Sequence, residues 1–235
     1  MKKKEKKIPT AYFFNDNIDF GKPKEGKIKL LELFSGTASV SRAFLIKGHE
    51  VVTVDNEEKH SPTFVWDISK MKKEDIEFYE PDVIWASPPC TTFSVASIST
   101  HWKGGYRQYK PKTRQAKDGI RLVKKTLEVI KELKPKLWFI ENPRGVLRKM
   151  PFMKDLHRKT VTYCKYGDGR MKPTDIWTNA IDWKPKDMCK NGDKCHVSAP
   201  RGSKTGTQGL DNNTERGRIP QQLCDEIVNY CEANP

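Results

Sequence analysis

The chain has 235 residues, of which 36% are hydrophobic, enough for one sizeable domain with its own core. No run approaches the roughly 18 apolar residues of a membrane span, and no apolar segment follows the basic residues 1–7, which argues against a membrane protein or a secreted scaffold. Lys and Arg number 44 against 30 Asp and Glu, a net charge of +14 that calls for a polyanionic partner, foremost nucleic acid.

Residues 1–27 are Lys-rich and then polar, and are expected to be a basic tail. Residues 28–34 (IKLLELF) form a short apolar run ended by Ser35-Gly36, the pattern of a buried strand. A helix is expected over 40–47, stopped at Gly48, then strands over 50–55 and 82–87, the latter ended by Pro88-Pro89. Residues 101–150 concentrate the charge, with 15 Lys and Arg against 4 Asp and Glu. Within them, Ile120, Val123, Leu127 and Ile130 recur at helical spacing, predicting a helix over 117–133. A strand follows over 136–142. Two short strands over 160–166 and 174–179 predict an antiparallel edge hairpin, and 184–217 is expected to be irregular. Ile219, Leu223, Ile227 and Cys231 make one stripe of a terminal helix with Pro220 near its first turn.

Alternating strand and helix imply an α/β fold: a mostly parallel sheet with helices on both faces and ligands beyond the C-terminal strand ends. The polar groups gather there. A lone cysteine is more often inert, but Cys90 follows a strand and two prolines on a stiff loop, where a thiolate can attack an electrophilic carbon. Glu141 ends another strand and suits acid–base work. Phe34-Ser35-Gly36-Thr37 opens a helix, where Gly36 permits close backbone approach to a ligand. Asp55 is placed for ribose hydroxyls, and Asp67-Ile68 for the edge and face of an adenine. The six cysteines do not follow a regular disulfide framework and read as thiols of a reducing compartment.

Five stretches carry a resemblance: LELFSGTASVSRAF from Leu31, VDNE from Val54, WDI from Trp66, SPPCTTFS from Ser87 and ENP from Glu141. In this order they resemble the cytosine C5 methyltransferases of DNA, particularly the compact bacteriophage and prophage members. The resemblance implies a Rossmann-like methyltransferase fold with S-adenosyl-L-methionine held by Phe34, Ser35, Gly36, Thr37, Asp55, Asn56, Asp67, Ile68 and Pro88. It gives Cys90 the thiolate that adds to cytosine C6, with Glu141 at N3 and the amine of a base flipped from double-stranded DNA. Basic and aromatic residues of the 97–115 loop suit a lid over phosphates. Expected nucleic-acid contacts are Ser94, His101, Lys103, Arg107, Arg114, Arg144, Arg201 and Lys204.

The chain also departs from the family. Ala38 and Ser39 stand where glycines are usual, and Arg216-Gly217-Arg218-Ile219-Pro220 lacks the usual asparagine before the closing helix. The family's Gln-x-Arg-x-Arg falls on Arg170, Lys172 and Thr174, so the second arginine is missing and Arg170 or Arg144 is the substitute. Only about 40 residues remain for target recognition, which implies short or loose specificity or a partner. Cys189, Cys195 and His196, joined by Cys164 on the preceding hairpin strand, are candidate zinc ligands. The expected organisation is a tail (1–27), a catalytic domain (28–180), a short recognition or zinc-stapled insert (181–217) and a closing helix (218–235). The resulting expectation is a monomeric, cytoplasmic DNA methyltransferase with no membrane partner. A tRNA methyltransferase and a catalytically impaired DNA-binding relative are the alternatives.

Overall fold

The computed structural model describes residues 26–104, 108–190, 192–197 and 213–235, apart from the side chains of Phe78, Asn213 and Thr214. Residues 1–25 of the expected tail, Arg107, Arg201 and Lys204 fall outside these residues.

The elements follow the hydrophobic periods. Strands β1 (Lys29–Leu33), β2 (Glu50–Asp55), β3 (Phe64–Val65), β4 (Val83–Ala86) and β7 (Leu137–Pro143) run parallel; β8 (Arg158–Thr162) and β9 (Pro173–Thr178) close the sheet antiparallel. The order is β3-β2-β1-β4-β7-β9-β8, with Leu31 paired to Val52 on one side and Ile84 on the other. Successive strand side chains point to opposite faces. Leu30, Val51, Val83, Trp85 and Phe139 therefore pack on one side with α1 (Ser39–Ile46) and α6 (Gln221–Ala233). Leu31, Leu33, Val52, Ile84 and Ile140 pack on the other, against α4 (Arg114–Leu133). The side chain of Thr113 caps α4 by accepting from Ala116 N at 3.2 Å, so the helix starts three residues before the predicted 117. The α6 stripe is buried at Ile219, Leu223, Ile227 and Cys231, and Pro220 stands directly before the helix.

Three expectations are corrected. The strand expected over 160–166 ends at Thr162, and Tyr163–Tyr166 wind into a 3₁₀ turn closed by Gly167 at φ 83°. Tyr163, Cys164 and Tyr166 are all buried on this turn, so Cys164 lies on a turn rather than a strand. The 184–217 stretch is not wholly irregular, since Asn213–Gly217 form α5. The 97–115 loop contains α3 (Ile98–His101) and an antiparallel pair, β5 (Trp102–Lys103) with β6 (Lys110–Pro111). A short α2 (Lys73–Ile76) precedes β4. Among the described residues no helix is long and apolar enough to cross a membrane.

Candidate active site

The turn from β1 into α1 is held in an unusual backbone form. Phe34, Gly36 and Ala38 all have left-handed backbones, with φ of 57°, 46° and 51°. Gly36 N donates to Asp55 Oδ2 at 2.9 Å, and Asp55 Oδ1 accepts from Glu57 N at 2.9 Å. Asp55 thus fastens the turn to the end of β2 with both carboxylate oxygens. Inside the turn, Ser35 is 5% exposed and its hydroxyl has no hydrogen-bond partner among the described residues. Beneath it, Glu32 Oε2 accepts from Ser41 N at 2.8 Å and from the Ser41 hydroxyl. Burial pushes the Glu32 carboxyl up to about 7, against the pull of those hydrogen bonds.

The other expected cofactor residues are less uniform. Thr37 pairs its hydroxyl with Ser39 at 2.8 Å, Asn56 is exposed, and Pro88 is buried. Asp67 caps its own short turn, accepting from Ser69 N at 3.0 Å. Ile68 is buried in the apolar cluster that faces α4, which takes its side chain away from the aromatic-face role expected for it. An aromatic surface lies nearby all the same: the half-buried Phe64 and Trp66 rings stack 4.3 Å apart at 13°. Sequence reading missed that pair, because its only signal was two aromatics two residues apart, on and just after a very short strand.

Cys90, on the loop after β4, and Glu141, near the C-terminal end of β7, are clamped together. Asn142 Nδ2 donates to Pro88 O at 2.9 Å, tying the residue after Glu141 to the proline pair before Cys90. Beyond Cys90, Ser94 bridges Gly145, and Val146 N donates to Phe93 O at 2.8 Å. A Cβ at Gly145 would lie 2.1 Å from Phe93 O, so the approach requires glycine. Trp102 Nε1 donates to Thr92 O at 2.6 Å, so β5 supports the same loop. Glu141 is 6% exposed and accepts from Tyr163 Oη at 2.9 Å. Burial and the Glu141 charge push the Tyr163 hydroxyl well above its usual range, so it stays a donor.

Burial is the largest influence on both reactive groups. It raises the Cys90 thiol, which the Lys172 charge pulls back down and the Glu141 charge pushes up. It also raises the Glu141 carboxyl, again opposed chiefly by Lys172. Lys172 is buried, with Nζ 4.7 Å from the centroid of the Tyr163 ring and donating to Arg216 O at 2.9 Å. The substitution expected of Arg170 is thus corrected. Its Nε reaches Asp168 Oδ1 and Oδ2 at 2.8 and 3.0 Å, and Nη1 reaches Glu215 O at 3.0 Å. Its guanidinium is committed to binding the segment before α6, and Lys172 is the cation felt by Cys90 and Glu141 alike. Arg144 is exposed, joined to Pro173 O only through its backbone nitrogen at 2.9 Å.

Of the expected nucleic-acid contacts, Lys103, Arg114 and Arg144 are exposed and Ser94 is half-buried, its hydroxyl 3.1 Å from that of Ser97. His101 is buried, with Nδ1 2.7 Å from Thr113 Oγ1, so its ring braces the loop against the start of α4 instead of facing outward. Away from Cys90, the ligand atoms of Cys164, Cys189, Cys195 and His196 all lie within 4.8 Å of one another.

Residues 28–157 match the family described as C-5 cytosine-specific DNA methylase. A protein of Frog virus 3 (isolate Goorha), named a probable DNA (cytosine-5)-methyltransferase, is 31% identical over 221 residues, covering 87% of this chain and 100% of that protein. Among solved structures, the S. pombe Dnmt2 methyltransferase is 14% identical, with 69% of this chain and 53% of that one covered at a TM-score of 0.48. The Entamoeba histolytica methyltransferase EhMeth is 15% identical, with 70% and 57% covered at a TM-score of 0.49. The chain spans little more than half the length of these two structures.

Proposed function

We propose a covalent route to 5-methylcytosine in DNA for this chain, which belongs to the C-5 cytosine-specific DNA methylase family. The cofactor of such enzymes, S-adenosylmethionine, supplies an electrophilic methyl group when bound. The residues of the β1–α1 turn fit it: Ser35 keeps a buried hydroxyl without a partner among the described residues, beside the open backbone of Gly36. Phe34, Ser35, Gly36 and Thr37 would hold the cofactor, with Asp55 keeping the turn in shape.

Cytosine C5 is a poor nucleophile until C6 is substituted. In this reading Cys90 gives up its proton and its Sγ bonds to C6, moving the C5=C6 electron pair onto C5 and the ring. C5 then takes up the methyl group from the bound cofactor, whose sulfur keeps the electron pair of the broken S–CH3 bond. Loss of the C5 proton to a base returns electrons to the ring, C5=C6 re-forms, and the Sγ–C6 bond breaks with its electron pair returning to sulfur. Glu141 hydrogen-bonds N3 and the exocyclic amine, and its raised carboxyl range suits the protonated form that donates to N3. Lys172 favours the thiolate through its charge. The base must leave the duplex to reach Cys90, at a cost of a few kcal/mol. The exposed Lys103, Arg114 and Arg144 are available for phosphates.

The observation that carries this reading is the clamp between the Cys90 loop and the C-terminal end of β7. It joins a nucleophile and a carboxyl through Asn142–Pro88 and Ser94–Gly145, with one buried cation acting on both. Nucleoside mass spectrometry tests it, with unmethylated DNA and tRNA incubated separately with S-adenosylmethionine. The expected result is 5-methyldeoxycytidine in DNA with the unaltered chain and none with Cys90→Ala. Product in tRNA alone would move the substrate to RNA, and product that survives Cys90→Ala would overturn the covalent route.

A further inference from the structure

We propose that Cys164, Cys189, Cys195 and His196 form a structural zinc site that ties residues 184–197 to the sheet. The cluster joins two regions distant in sequence. Cys164 lies on the 3₁₀ turn after β8, and the other three flank the turn around Gly192. Cys189 Sγ is 3.4 Å from Cys195 Sγ and 3.4 Å from His196 Nδ1, and Cys195 Sγ is 3.9 Å from the same nitrogen. A tetrahedral zinc with the usual bond lengths sets S···S edges of about 3.8 Å and S···N edges of about 3.5 Å. The spacing between the sulfurs is far beyond the roughly 2.05 Å of a disulfide. Three sulfurs and one nitrogen fill a tetrahedron and leave no open position, which marks a structural rather than a catalytic ion.

The segment needs such a staple. Among the described residues of 184–197, only Cys189 is buried, so there is no core to hold the chain in place. Outer contacts already orient the ligands. Cys189 N donates to Thr162 Oγ1 at 2.7 Å, and Val197 N, next to His196, donates to Gly169 O at 3.1 Å. Lys165 pairs with Asp193 at 2.8 Å, and the same carboxylate accepts from Lys190 N at 3.0 Å, closing the turn between the ligands. The ion would fix the turn that leads from Cys164 to Lys172, and so bears on the cation near Cys90. It does not depend on the methylation chemistry.

The test is metal analysis of the full chain purified without chelator, beside a Cys195→Ser/His196→Ala double variant and a Cys231→Ala control. The expected result is about one equivalent of zinc in the unaltered chain and the control, and less than about a tenth in the double variant. Cobalt(II) loading of the unaltered chain gives a reading that does not require the variant to fold: intense thiolate-to-metal charge transfer with tetrahedral d–d bands. Less than about a tenth of an equivalent after incubation with zinc and gel filtration would overturn the proposal. So would a Cys189–Cys195 disulfide found by peptide mapping, an octahedral cobalt spectrum, or undiminished zinc in the double variant.

Discussion

Replacing Glu32 with glutamine should favour the variant at alkaline pH relative to its standing in acid, where the gain is lost and the amide's own cost remains. Glu32 lies on β1 at 2% exposure, and burial pushes its carboxyl up to about 7 from the ordinary 4.5. Below about 4.5 the group is neutral in both the folded and unfolded chains. Between about 4.5 and 7 the folded chain keeps a proton that the unfolded chain has released, so stability falls as pH rises, by about 1.4 kcal/mol per unit. Above about 7 both forms are ionised and the loss is complete, amounting to about 3 kcal/mol. Glutamine cannot ionise, and its carboxamide oxygen can still accept from Ser41 N. Its amide donors need new partners, which takes back part of the gain, so the expected benefit at pH 8.5 is about 1–3 kcal/mol. The assay is urea unfolding of both chains at pH 5 and pH 8.5, where the difference between chains cancels every other titrating group. A variant equally displaced from the unaltered chain at both pH values would refute the reasoning.

Ala38→Gly should stabilise by about 1 kcal/mol, because Ala38 sits at φ 51° where glycine is unstrained; thermal unfolding checks it, and a lower midpoint would contradict the strain argument. Gly145→Ala should cost about 2–4 kcal/mol in urea unfolding and lower methylation by at least about tenfold, since its Cβ would lie 2.1 Å from Phe93 O. Unchanged activity would mean that the clamp does not align Cys90. Lys172→Met removes the charge that pulls the Cys90 thiol down, so the acidic limb of the kcat/KM profile should move to higher pH, with Lys172→Arg restoring it. An unmoved limb would exclude Lys172 from thiol activation.

Much of the scaffold was legible because its signals are local. The apolar runs at β1, β2, β4 and β7 and the stripes of α4 and α6 appear as two-residue and 3.6-residue periods, which depend only on neighbours in sequence. The placement of Cys90 just after β4 and of Glu141 near the end of β7 was legible from short motifs, and the parallel topology brings such strand ends to one edge. The four candidate zinc ligands were legible as residue types, although Cys164 had been assigned to a strand and lies on a turn.

Other assignments turned on partners far along the chain. Arg170 and Lys172 are two residues apart and equally basic, and nothing between them indicates which one faces the chemistry. Asp168 and the carbonyl of Glu215 capture the first, while the Tyr163 ring and the Arg216 carbonyl hold the second beside Glu141. Asp55 also fastens Gly36 and Glu57 with its two carboxylate oxygens, and the His101 ring lies against Thr113, contacts that no local pattern shows. Sequence by itself determined which residues prefer strand, helix or turn and which carry reactive groups, because covalent geometry and hydrophobic periodicity act over a few residues. Only the tertiary structure decided which charges meet, since burial and a long-range hydrogen bond set what each side chain is free to do.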